Sequence, residues 1–278
     1  MNLRRNRPRD DTRIVNAHGA GLRLDQTIPK LFAAVSRGAA RQAIADGRVF
    51  VGDRRIRRNA YIVGVGDEIR LAPDRPASVR PAIDPEILFQ DDAIAVVVKP
   101  TQMAVEPTRA GDRGTLVRWF KDRGEPIGVV HRLDEGVRGV LVVAKKPFAL
   151  KRLNDMLRAR SITRRYEAIV EGVVDADEQT IDTPLLHRGK MRDARTHVRV
   201  TNRRANTTTV GVELETGRTH QIRRHLAGIG HPIVGDVKYG AGSVPWRRGG
   251  IALSAVEIAF SHPRTGEVLR FRISAQLD

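Results

Sequence analysis

Cysteine is missing from the chain altogether. That excludes disulfides, thiolate metal sites and a cysteine nucleophile. No stretch of about 18 apolar residues occurs, so no helix is expected to span a bilayer. An apolar signal region is lacking too, which makes the cytoplasm the expected compartment. Aromatic residues amount to only 4%, and the arginines at 4, 5, 7 and 9 have no bulky apolar partner face. A basic amphipathic helix lying on a membrane surface is therefore not expected. The eight histidines form no ligand-spaced cluster, and no glycine-rich phosphate loop follows a strand, so neither a metal nor an organic cofactor is expected.

Acidic residues are also in short supply: 32 Asp and Glu face 49 Lys and Arg, a formal charge of +17. Polyanions are the natural partners of such a chain. Arginine dominates the excess, and its planar fork suits bidentate phosphate contacts and stacking on bases better than a lysine ammonium does. Nucleic acid is thus favoured over membrane. With 278 residues, of which 41% are hydrophobic, there is material for one sizeable core plus a small appended module, and two domains are expected.

The pattern predicts a basic mobile arm over residues 1–20 and a small module over 21–72. Leu22, Leu24, Ile28, Leu31 and Phe32 mark a short amphipathic helix. Ser36 is placed to N-cap a second helix through Ala39, Ala40, Ala43 and Ile44, with Gly47 ending it. Val49, Val51 and Ile56 flank the turn Gly52-Asp53, and a returning strand segment runs from Tyr61 to Leu71. Residues 37–58 hold seven arginines and two acids. With Ser36-Arg37, Ile44, Gly47, Val49, Val51 and Gly66-Asp67 in this order, the module resembles the S4 RNA-binding domain. Arg37, Arg41, Arg54 and Arg55 are then the candidate phosphate contacts.

Prolines at 73, 76, 81 and 85 mark a semi-rigid linker over 73–85. A second domain follows over 86–278. Strand candidates enriched in β-branched residues are Ile87–Phe89, Ile94–Val98, Val129–Leu133, Val140–Val143 and Tyr166–Val170, with a helix near Phe148–Leu157. The expected class is α+β, built on a large mixed, mostly antiparallel sheet.

Within this domain, Gly128-Val129-Val130-His131-Arg132-Leu133-Asp134 leads through Glu135-Gly136-Val137-Arg138-Gly139 into the apolar run Val140–Val143. Read from the residues, an apolar strand enters a turn carrying one acid, and a second apolar strand leaves it. The stretch resembles the aspartate loop of a pseudouridine synthase. Three further segments fit the same family in the order of the chain. They are Lys99-Pro100 with Val105 and Pro107, then Tyr166-Glu167-Ala168-Ile169-Val170-Glu171-Gly172, and then Gly217-Arg218-Thr219-His220-Gln221-Ile222-Arg223 with His225-Leu226 and Gly230 to Asp236. Together with the S4-like module, the chain is identified as resembling an RluA-type pseudouridine synthase acting on ribosomal or transfer RNA.

The resemblance implies isomerisation of uridine. The base is detached at N1, rotated while bound, and rejoined to C1′ through C5, with no cofactor. Asp134 is then the nucleophile, attacking either C1′ or the uracil ring; an aspartate with its reference pKa of ~3.9 needs no separate base to activate it. Arg223 is the arginine that pairs with it, and Tyr166 the ring against the target base, with a polar tip that can assist a proton at C5. Ile222 and Leu226 fall on the pocket wall. The expected partner is structured RNA, bound by a monomer.

The family continues after its aspartate with a Thr-Ser-Gly step, where this chain has Val137-Arg138-Gly139. Two hydroxyls that would cap the loop are lost, and Arg138 becomes a candidate RNA contact. Two other readings stay open: an RNA-binding protein on a synthase scaffold without catalysis, and a nucleoside hydrolase, for which no second carboxylate is evident. Arg132, two residues before Asp134, is placed to fill the gap left by a flipped base. Flipping costs a few kcal/mol and stacking returns about 1–3 kcal/mol per base. Arg132→Ala should therefore slow turnover on structured RNA much more than on a single-stranded target; equal losses in single-turnover assays would refute that role.

Overall fold

The computed structural model describes residues 11–73, 84–108, 111–187, 189–240, 246 and 250–277. It divides into two compact units, one from Met1–Arg80 with Glu106–Arg118 and the other from Pro81–Val105 with Trp119–Asp278. Most of the predicted linker, and the arm before residue 11, lie outside the described residues.

The first unit opens with β1 (Asp11–Ile14), followed by α1 (Leu24–Leu31), α2 (Arg37–Ala45), β2 (Val49–Val51), β3 (Arg54–Arg55) and β4 (Glu68–Leu71). The four strands form one antiparallel sheet in the order β1-β4-β2-β3. Residues 11–14 are therefore not part of a mobile arm, as their charge and lack of apolar periodicity suggested. All four are exposed, and their order comes from backbone pairing along the edge of β4, which the side-chain pattern does not report. Ser36 does cap α2, its hydroxyl accepting the Ala39 N–H at 3.1 Å. Leu24, Ile28, Ile44 and Ile69 are fully enclosed in the core between helices and sheet, each worth roughly 1.5–3 kcal/mol over exposure.

Residues 106–118 pack with this unit as well, beyond the stretch expected to end at residue 72. Asp112 pairs with Arg57 and Arg118, and Arg113 reaches Asp46 at 2.8 Å. The Asp112 N–H donates to the Asp46 carbonyl at 3.0 Å, and Arg55 donates to the carbonyls of Gly47 and Thr108. The ties of Asp112 and Arg113 to Arg57 and Asp46, and of Arg55 to Thr108, join residues more than fifty positions apart, so no local sequence pattern signals them.

After the first unit the chain forms β5 (Glu86–Gln90) and β6 (Ile94–Lys99), and α3 (Leu116–Asp122) runs across the division between the units. The second unit continues with β7 (Gly128–Val129), β8 (Arg138–Ala144), α4 (Pro147–Arg158), β9 (Thr163–Glu171) and β10 (Glu178–Ile181). The hairpin β11 (Leu185–His187) and β12 (Lys190–Arg192) leads to β13 (Thr196–Arg203), β14 (Thr207–Leu214) and α5 (Gln221–Gly228), and β15 (Leu253–Ser261) and β16 (Val268–Arg272) close it. Eight strands run β10-β13-β14-β9-β15-β8-β6-β5, with β16 on β15 and β7 on β8. Pairing is antiparallel except between β15 and β8. This is the mixed, mostly antiparallel sheet of an α+β domain. β6 up to Val98 and the body of β8 are apolar and buried at every position, as strands covered on both faces must be. Alternation in β9 leaves Arg164, Tyr166, Ala168 and Val170 inward.

The strand expected over Val129–Leu133 is only two residues long. Beyond Val129, paired with Val143, the backbone leaves the sheet, and the His131 side chain takes its place by accepting the Val142 N–H at 3.3 Å. Desolvation pulls the His131 pKa down to about 3, with Arg164 adding to the effect. The imidazole is thus a neutral acceptor at physiological pH, suited to a main-chain N–H.

Gly139 sits where β8 meets β15, at φ +148°, and a Cβ there would fall 2.5 Å from the backbone of Ala255. Neither strand can move without losing its other partner. Gly139→Ala should cost about 3 kcal/mol through strain and overlap, lowering Tm by roughly 6–12 °C for a domain of this size. Thermal unfolding followed by circular dichroism tests this, and a shift under 2 °C would contradict it.

Candidate active site

Four separated segments of the second unit meet around Asp134. The acid lies on the loop between β7 and β8, whose ends are fixed by sheet pairing and whose Val130, Leu133 and Val137 are buried. The turn itself is closed by the Val137 N–H donating to the Asp134 carbonyl at 3.0 Å. Behind it, Gly136 and Gly250 approach so closely that a Cβ on Gly250 would lie 2.2 Å from the Gly136 carbonyl oxygen. Two glycines are needed for that contact, and with the Ile251 N–H on the Gly136 carbonyl it anchors the loop from outside.

Arg223, on the first turn of α5, donates from Nη1 to Asp134 Oδ2 at 2.8 Å. Its Nε and Nη2 form a two-point clamp on Asp236, at 2.7 and 2.8 Å. Asp236 is almost fully buried and also accepts the Lys238 and Tyr239 N–H groups. Burial lowers the Arg223 pKa, but hydrogen bonds to Asp236 and Asp134 outweigh it and raise the value above the usual arginine range. For Asp236, burial pushes the carboxyl upward and Arg223 pulls it down further, for a net lowering. Its stabilising contribution is thus present above the ordinary carboxylate pKa and is lost only as pH falls through the depressed folded value.

The clamp has a geometric consequence for Asp134. Oδ2 is committed to Arg223, whereas Oδ1 faces His220 Nε2 at 3.7 Å, beyond hydrogen-bonding range. Oδ1 is therefore the oxygen with available lone pairs. His220 is held in the left-handed region at φ +54° as the N-cap of α5, with Nδ1 on the Tyr239 hydroxyl at 2.9 Å. The Tyr239 ring in turn lies 5.1 Å from the Arg223 guanidinium.

Tyr166 projects inward from β9, between Val212 of β14 and Ala255 of β15. Burial raises its pKa, Arg164 opposes that and the Asp134 charge adds to it, so the phenol stays protonated at neutral pH. Lys99 ends β6 fully buried, donating to the Pro100 and Met103 carbonyls at 2.8 and 2.7 Å. Burial draws its pKa down to about 7, against the upward pull of Asp134.

Asp134, Tyr166 and Arg223 therefore belong to one constellation, and Ile222 is buried beside Arg223 on α5. Leu226 is fully enclosed, so it packs the helix against the domain and does not face an open cleft. Arg138 is half-buried, and its guanidinium donates to the Ser274 carbonyl at 3.0 Å. Val137 packs in the core. The Val-Arg step thus has its own structural partners in place of the family's hydroxyls. Arg132 and Arg54 are exposed. Arg55 is engaged by two carbonyls and stacks over Phe50, its cross-strand neighbour, so its role is to build the small module. Arg37 and Arg41 both donate to Asp25.

Lys99, His220 and Asp236, which fall within the family-like segments without an assigned role, and Tyr239, which lies beyond them, also enter the site. A lone lysine closing five apolar strand residues was the available signal for Lys99. The other third-motif histidines prove structural. His225 Nε2 donates to the Thr183 carbonyl and Nδ1 accepts from Thr196, and His231 Nδ1 donates to the Glu171 carbonyl.

Comparison with known proteins accords with this geometry. Residues 93–228 match the family model of RNA pseudouridylate synthases, and residues 22–69 match the S4 domain. The chain is 36% identical to ribosomal large subunit pseudouridine synthase D of Vibrio parahaemolyticus, over 94% of this chain and 89% of that one. It is 38% identical to the enzyme of the same name from Pseudomonas aeruginosa, covering 79% and 74%. An RNA pseudouridine synthase of Bacillus subtilis is 35% identical over 85% and 84%. The solved structure of human RNA pseudouridylate synthase domain containing 1 superposes with a TM-score of 0.58 at 23% identity, covering 73% of this chain and 89% of that one, a likeness of fold. The chain belongs to the RNA pseudouridine synthase family. Within it, the likeness to ribosomal large subunit pseudouridine synthase D over most of both chains places it with the RluA-type enzymes.

Because Asp236 holds Arg223 by two bonds, its loss should misdirect Asp134 without touching the acid. Asp236→Asn is expected to lower turnover on the order of 10²-fold, the scale of a reacting group displaced by about 1 Å, with RNA affinity retained. Single-turnover kinetics with parallel binding measurements check this, and near wild-type turnover would show that Arg223 needs no anchor.

Proposed function

We propose that this enzyme converts uridine to pseudouridine in large-subunit ribosomal RNA, in the cytoplasm and as a monomer, using Asp134 as nucleophile. The single observation that carries the assignment of Asp134 is its carboxylate, with one oxygen fixed by Arg223 and the other open. The ribosomal target is supported by two relatives named for the large ribosomal subunit and by the +17 charge, which suits a phosphate-rich ligand.

On this reading Asp134 Oδ1 attacks, and the N1–C1′ bond opens. The uracil turns within the pocket and C5 bonds to C1′ as the aspartate is released. The C5 proton then leaves and N1 gains one, so the product is an isomer of the substrate. Arg223 keeps the carboxylate aimed throughout. Tyr166 offers a flat face to the base, and its protonated hydroxyl supplies a donor. Arg132, exposed beside the nucleophile, fills the stack that the base vacates.

Carbodiimide mapping of cellular RNA tests the reading and finds the site together. Deleting the gene should remove one or more modified uridines from large-subunit RNA, and the wild-type gene should restore them. Asp134→Asn should not restore them, yet should bind the same RNA within about threefold. Loss of signal only in transfer RNA would redirect the substrate assignment, and release of free uracil would indicate hydrolysis instead.

A further inference from the structure

The small module contains a carboxylate whose surroundings are unlike those of any other acid among the described residues. Asp25, in the first turn of α1, has no exposed side-chain surface, yet three arginines converge on it. Arg23 donates to Oδ1 at 3.1 Å, and Arg37 and Arg41 donate to Oδ2 at 3.2 and 2.8 Å. All three use Nε. The three side chains remain 44–51% exposed.

This is an unusual use of a buried acid. A carboxylate serving a single arginine would take a two-point grip on it, as Asp236 does through Nε and Nη2 of Arg223. Shared among three arginines, with one bond to each, the carboxylate holds three like charges together at a net +2 while their side chains stay half-exposed. Left to themselves, three guanidiniums at this spacing would splay apart, each gaining rotamer entropy and losing repulsion. Burial raises the Asp25 pKa, and the hydrogen bonds from Arg41, Arg23 and Arg37 more than reverse it, so the acid is charged whenever the cluster is.

The frame of the cluster is rigid. Arg37 and Arg41 are one turn apart on α2, which Ser36 caps, and Arg23 immediately precedes α1, its N–H taken by Gln26. The Thr27 hydroxyl contacts the Gly19 and Arg23 carbonyls, and α1 and α2 share the core with Leu24, Ile28 and Ile44.

We infer that Asp25 is a positioning residue which organises Arg23, Arg37 and Arg41 into a preformed site for a phosphate of the RNA backbone. The inference rests on the reading above that this chain acts on RNA, and it adds a specific device to it: an acid inside an RNA-binding surface that strengthens binding to a polyanion.

The sign of one substitution separates this device from simple charge. Asp25→Asn makes the full-length protein more positive by one, so charge alone predicts equal or tighter binding. Positioning predicts binding of a ribosomal RNA fragment about tenfold weaker, with the slope of log K against log salt shallower by about 1, one lost phosphate contact. The measurement is fluorescence anisotropy across a salt series, with circular dichroism to verify folding. Arg37→Gln/Arg41→Gln, which changes only half-exposed side chains, should weaken binding comparably, and adding Asp25→Asn to it should weaken binding little further. That non-additivity is the signature of positioning, because a generally loosened module would lose affinity in both backgrounds, and such additive losses would overturn the inference. Equal or tighter binding by Asp25→Asn would also overturn it. An acidic peptide that depends on these arginines when RNA does not would assign the site to protein instead. If the wild-type protein binds no RNA, the underlying reading fails, a result distinct from all of these.

Discussion

The guanidinium of Arg223 is shared between two carboxylates, and most of what is distinctive in the catalytic unit serves that arrangement. A buried ion pair is not a cheap source of stability, since desolvation cancels much of the attraction. Its value here is directional. Asp236 takes two of the three donor positions, so the guanidinium plane is fixed by a partner that does no chemistry. The remaining donor then sets one oxygen of Asp134 and leaves the other. For this to work, a helix, a loop between strands of one sheet and a turn after the helix must all hold station. The Gly139 and Gly136–Gly250 close approaches are the backbone's part of that demand, because each joins segments with no room for a side chain.

Much of this was legible from the sequence, and the divisions are physical. The buried strands β6 and β8 announce themselves by continuous β-branched runs, and α4 and α2 by periodicity and, for α2, its cap. Asp134, Tyr166 and Arg223 were legible because they fall in motifs whose order matches one family. Interactions that depend on three-dimensional return were not. Asp236 sits in a stretch of Gly, Val and Lys with no periodicity, and its partner lies thirteen residues back on a helix. His220 points at Asp134 only because it adopts a left-handed backbone conformation, which nothing in Arg-Thr-His-Gln predicts. The shortness of β7 was hidden as well: Val129, Val130 and Leu133 look like strand, yet a histidine side chain replaces the expected backbone ladder.

Arginine composition carried a similar lesson. Counting the cluster over residues 37–58 treats every guanidinium as available for nucleic acid, but their assignments differ. Arg55 and Arg57 are consumed in building the module, Arg54 is exposed, and Arg37 and Arg41 are held half-exposed around one acid. Charge alone gives an upper bound on the binding surface, and hydrogen-bond geometry decides which part of it faces outward.

Residues 106–118 have a further meaning beyond their place in the contact network. Because the compact unit that holds the S4 domain also takes in residues 106–118, which fall within the synthase-family match, it is not a cassette in the chain. An excised 21–72 fragment would leave Asp46 and Arg57 without Arg113 and Asp112. Recombination that exchanged the N-terminal module between relatives would have to bring the matching 106–118 segment or evolve a new one. The covalent order of the chain therefore ties the inheritance of the RNA-binding module to that of the enzyme behind it.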